Sequence, residues 1–101
     1  MRIRMEQTGG IMGRKISLDL DASELPADEA EALRQVLDET NFFALPENLV
    51  AHPVPDEMQY LITVETDDVT HSVRTSDTTA TSALRALIQT LSQQARSRRI
   101  K

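Results

Sequence analysis

The strongest constraint in this chain is a change of hydrophobic period that happens twice. From Arg2 to Glu6, Ile3 and Met5 alternate with Arg2, Arg4 and Glu6, and the alternation returns with Ile16, Leu18 and Leu20 against Lys15, Ser17, Asp19 and Asp21. A period of two marks a half-buried strand. Gly9, Gly10 and Gly13 lie between the runs and supply positions that tolerate positive φ, so the spacing predicts a hairpin with Ile11 and Met12 at its tip. Two apolar residues at a loop tip either pack back or touch a partner.

The period then lengthens to three or four. Ala30, Leu33, Val36 and Leu37 share one face, behind Ser23, Leu25, Pro26 and the acids Asp28, Glu29 and Glu31. An N-cap oxygen, an early proline and first-turn carboxylates suit the orphan N–H groups and dipole of a helix start, which predicts a first helix over about 26–39 with Ser23 at its cap. Residues 40–55 have no clean period and carry Pro46, Pro53 and Pro55, so a loop is expected there, with Phe42, Phe43 and Leu45 sealing the core beneath it.

The second half has the same element order as the first, without a matching residue pattern. Met58, Tyr60, Ile62 and Val64 alternate with Gln59, Leu61, Thr63 and Glu65, Asp67-Asp68 makes a turn, and Val69, His71 and Val73 alternate with Thr70, Ser72 and Arg74, a second hairpin. Ala80, Leu84, Leu87, Ile88, Leu91 and Ala95 then form one stripe, which predicts a helix over about 79–96 capped by Ser76 or Asp77. The order ββαββα, with one apolar face per strand and one stripe per helix, defines an α+β fold: a four-stranded antiparallel sheet with two helices on one face.

A chain of 101 residues makes one domain with a single aliphatic core, and no cysteine is present to staple it or to act as a thiol ligand or nucleophile. The start of the chain carries positive charge without a following apolar run, and no stretch approaches about 20 apolar residues, so neither a secretory signal nor a membrane span is expected and the cytoplasm is the default. The net charge of −5 is unevenly placed. Residues 1–16 set Arg2, Arg4, Arg14 and Lys15 against Glu6, residues 17–73 set fourteen carboxylates against Arg34, and residues 74–101 set six basic groups against Asp77.

Catalytic and metal signatures are missing from the sequence. His52 and His71 stand in no HxxxH or HExxH spacing, no serine lies in a GxSxG or SxxK context, and Gly9-Gly10 lacks the lysine of a phosphate loop. His71 has the parity of Val69 and Val73 and reads as a hydrogen-bonded packing residue at the core edge; Asp67 and Asp68 read as solvated turn formers. The chain is therefore expected to be a non-enzyme without a cofactor. Arg96, Arg98, Arg99 and Lys101 can complement the end of the last helix or, as the alternative function, contact nucleic acid or another protein. The acidic middle and only three aromatic residues, Phe42, Phe43 and Tyr60, weigh against nucleic acid.

Five segments, MRIRMEQTGGIMG, LDLDASELPADEAEAL, NFFALPE, PDEMQYLITVETDDVTHSVRTSD and ALRALIQTL, together resemble in order and spacing the emfourin family of small bacterial proteins. The resemblance runs from Met1 to about Ala95. It implies a monomeric protein inhibitor of a thermolysin-like zinc metallopeptidase, encoded beside such an enzyme, which blocks the active-site cleft without being processed. Where the family has Phe-Ala-Gly after the glycine pair, this chain has Ile11-Met12-Gly13. The implied contacts are first Met1 and Arg2, then the turn Asp67 and Asp68, then the loop with Gly9, Gly10, Ile11 and Met12. A free α-amine has an ordinary pKa of about 7.7 to 8, so on losing a proton it can offer its nitrogen, with the adjacent carbonyl oxygen, to zinc. Arg2 is bulky enough that Met1 is expected to be retained. A hairpin that begins at Arg2 also places Met1 and the glycine pair at opposite ends, roughly 17 to 20 Å apart.

Overall fold

The computed structural model describes residues 1–9, 16–50, 57–77 and 79–99, with the side chains of Ile16 and of 95–99 outside the description. The elements are β1 (Arg2–Gly9), β2 (Ile16–Asp21), a 3-10 turn (Ala22–Glu24), α1 (Ala27–Thr40), a second 3-10 turn (Phe42–Ala44), β3 (Met58–Glu65), β4 (Thr70–Ser76) and α2 (Ser82–Arg99). The order ββαββα and the α+β class follow the expectation from periodicity.

The four strands form one antiparallel sheet in the order β2-β1-β3-β4. The two hairpins are thus joined through their first strands. Ile3 stands opposite Leu20 and Val64, and Met5 opposite Leu18 and Ile62, while Ile62 faces Val73 and Tyr60 faces Thr75. These residues share one face because side chains alternate across a strand, and that face meets the helices. Leu33 and Leu37 of α1 and Leu84, Leu87 and Leu91 of α2 complete the core with Phe42. Each such leucine, fully buried, contributes roughly 1.5 to 3 kcal/mol of apolar transfer.

Three local readings are corrected. Ser23 does not cap α1: it sits in the 3-10 turn, whose cap is Asp21, and α1 begins after Pro26 with no side-chain cap. The residue before a proline is pushed to extended backbone, and Leu25 has φ −85° and ψ 152°, so a helix cannot run through it from Ser23. Nor do Ser76 and Asp77 cap α2; the Thr81 hydroxyl accepts from Leu84 N–H at 3.2 Å, directly ahead of Ser82. Phe43 and Val69 lie largely exposed, at 45% and 48%, whereas Phe42 is buried. Phe42 and Phe43 diverge because α1 ends in a left-handed Asn41, φ 52°, that turns the chain into a single 3-10 turn.

His71 bears out its packing role. Its Nε2 lies 2.8 Å from the carbonyl oxygen of Leu45, and its ring meets Phe42 edge-on. Beside it the segment Glu47–Leu49 straps the outer edge of β4. Arg74 N–H donates to Glu47 and Leu49 N–H donates to the Arg74 carbonyl, both at 2.8 Å, which occupies edge groups that would otherwise invite another strand.

Candidate functional site

The register of β1 decides which of the candidate residues meet. Arg2 stands opposite Asp21 on one side and Glu65 on the other, so the chain end, the close of β2 and the β3–β4 turn all lie at one end of the sheet. Thr66 N–H donates to the Val69 carbonyl at 2.8 Å and Val69 N–H to the Thr66 hydroxyl at 3.1 Å, leaving Asp67 and Asp68 as the exposed two-residue tip. Met1, Arg2, Asp67 and Asp68 therefore share one end. Gly9 lies at the other, opposite Met58, about 23 Å away along an eight-residue strand. Gly10, Ile11 and Met12 lie outside the described residues, as do His52 and Lys101 and the side chains of Arg96, Arg98 and Arg99.

The chain end is held rather than loose. Ala22 N–H donates to the Met1 carbonyl at 2.9 Å, and the Met1 side chain packs against the core. One of the two lone pairs of the carbonyl proposed above as a zinc donor is thus already committed to Ala22, the first residue of the 3-10 turn after β2. The Asp21 carboxylate accepts from Ser23 N–H at 3.0 Å and from the Ser23 hydroxyl at 2.7 Å. The hydroxyl first and then the N–H hold the Asp21 carboxyl below its ordinary pKa, and the α-ammonium and Arg2 act in the same direction. Sequence reasoning passed over this turn because it read Ser23 as a helix cap. The signal was present: Asp two residues before a hydroxyl residue, followed by a proline that excludes helix at Leu25.

Arg2 binds Asp19 through two parallel bonds, and Arg4 pairs with Glu65. Both pairs lie on the sheet face away from the helices. Asp19, chiefly through the hydrogen bond, pushes the Arg2 guanidinium above its already high value, so Arg2 is cationic at any pH of interest. The chain end is thus a basic group set among carboxylates.

At the opposite end Tyr60, Asp77, Ala80, Arg85, Ile88 and Gln89 line an open depression of about 550 Å³. Within it the Tyr60 hydroxyl donates to Asp77 Oδ1 and Arg85 to the Asp77 carbonyl, both at 2.9 Å. Among the described residues no group of three or more His, Asp or Glu side chains is gathered to hold a metal ion, and no helix is long and apolar enough to cross a membrane.

The molecule is thus a small two-layer α+β domain with its first residues and the β3–β4 turn at the same end of the sheet. By family comparison the chain belongs to the Emfourin family, which matches residues 5–92, nearly its whole length, and whose role is metallopeptidase inhibition rather than catalysis. No curated protein and no solved structure matches it.

Proposed function

We propose that the protein inhibits a thermolysin-like zinc metallopeptidase by seating Met1 and Arg2 in the active-site cleft, with the Asp67-Asp68 turn against the cleft rim. Family membership supports the class of partner. The observation that supports the choice of residues is the pairing of Arg2 with Glu65, by which the chain end and the turn lie at the same end of the sheet. The zinc belongs to the enzyme. The α-amine of Met1 approaches it with a nitrogen lone pair, while the carbonyl stays bonded to Ala22. Gly9, at the far end of β1, stays outside that contact.

Titrating the protein into the thermolysin-like peptidase of the same genome, with peptide hydrolysis as readout, tests the reading. Loss of activity that saturates with added protein is expected; unchanged hydrolysis would overturn it. A variant with several residues added ahead of Met1 should inhibit far more weakly, and equal inhibition would remove the chain end from the contact.

A further inference from the structure

We infer that Asp21 is a positioning residue for the inhibitory chain end, acting through Ala22 on Met1. The inference rests on the reading above and adds a residue that touches no part of the enzyme. Asp21 closes β2 opposite Arg2, and its carboxylate binds the N–H and hydroxyl of Ser23, which folds the chain into the Ala22–Glu24 turn. That turn fixes the direction of the Ala22 N–H, whose acceptor is the Met1 carbonyl.

The consequence concerns the first peptide unit. A strand normally frays at its first residue, because the groups beyond the last paired position have no neighbour. Here β2 ends one residue short of Met1, and the turn extends the pairing by the one bond the terminus lacks. The carbonyl is anchored to Ala22 and the side chain packs on the core, so two of the three groups of Met1 are already fixed and the α-amine is held with them. The ordering entropy of the chain end is then lost on folding rather than on binding, which raises affinity without a new contact.

The test compares Asp21→Ala, Asp21→Asn and the N-terminally extended chain for inhibition, with amide hydrogen exchange of Ala22 measured on each free protein. Losing the turn's bonds should weaken inhibition by Asp21→Ala roughly tenfold, the effect of about one hydrogen bond, and should speed exchange at Ala22. Asp21→Asn keeps an acceptor for Ser23 and should restore both readouts most of the way. If Asp21→Ala inhibits like the wild type while the extended chain does not, the inference is overturned. It is also overturned if inhibition falls with Ala22 exchange unchanged, since Asp21 would then touch the enzyme directly. An extended chain that inhibits as well as the wild type refutes the chain-end contact instead. Ser23→Ala, which removes only the hydroxyl bond, gives the same comparison at smaller amplitude if Asp21→Ala fails to fold.

Discussion

The guanidinium of Arg2 holds both carboxylate oxygens of Asp19, Nε to Oδ1 at 2.8 Å and Nη2 to Oδ2 at 3.1 Å. Strand pairing sets Arg2 opposite Asp21, so the side chain reaches diagonally to the next residue on the same face. Both partners are about half exposed, 52% and 51%, and exposed pairs add little to stability, yet the planar fork fixes where the charge sits.

Arg2→Ala should therefore leave the melting temperature unchanged while weakening inhibition. Calorimetry and an inhibition constant measured on one preparation check this. A large fall in melting temperature would show the pair to be a structural clamp instead.

Gly9 has φ +107°, and a Cβ built on it would lie 2.5 Å from the backbone oxygen of Glu57. A left-handed conformation and a backbone clash act together, so Gly9→Ala should destabilise by about 1 to 3 kcal/mol. Denaturant unfolding measures this, with the midpoint shifted and the slope unchanged. Inhibition by the folded fraction should match the wild type, because the residue lies at the end of β1 remote from Met1.

Phe42 and Phe43 separate burial from composition. Phe42 is 1% exposed and Phe43 45%, so Phe42→Ala should cost about 3 to 5 kcal/mol, whereas Phe43→Ala should stay within about 0.5 kcal/mol. Paired urea titrations decide it. Equal losses would mean that the two rings share the core.

Tyr60 is the chain's single tyrosine and there is no tryptophan, so absorbance near 295 nm reports its ionisation alone. Burial first, and then the hydrogen bond to Asp77 and its charge, push the phenol from 10 to about 12. The folded state thus keeps the proton to higher pH than the unfolded chain. The stability from this group is complete below about pH 10 and is lost as pH rises through the folded value. Tyr60→Phe should remove that alkaline phase, and an absorbance midpoint near 10 in the folded protein would refute the coupling.

Element type was legible because burial on one face writes its period into the chain. Ile62 and Val64, or Leu84 and Leu87, need no tertiary knowledge to be assigned a strand or a helix. Ends were less legible. Ser23 reads as the cap of α1, but the extended backbone that Pro26 imposes on Leu25 places it in a separate turn capped by Asp21. The identity of Thr81 as the α2 cap likewise depended on where β4 stops, a matter of pairing with β3.

Alternation and stripe alone determined the ββαββα order, the apolar face of each strand and the aliphatic core, since each element must hide one side from water. Only the tertiary structure decided that β1 and β3 lie side by side in the middle of the sheet. That pairing is between residues 49 to 63 positions apart, from Gly9 with Met58 to Arg2 with Glu65, and periodicity carries no record of which strand edges meet. It is also what brings Met1 and Arg2 next to the Asp67-Asp68 turn and leaves Gly9 at the far end, because an antiparallel register ties the start of one strand to the finish of the other.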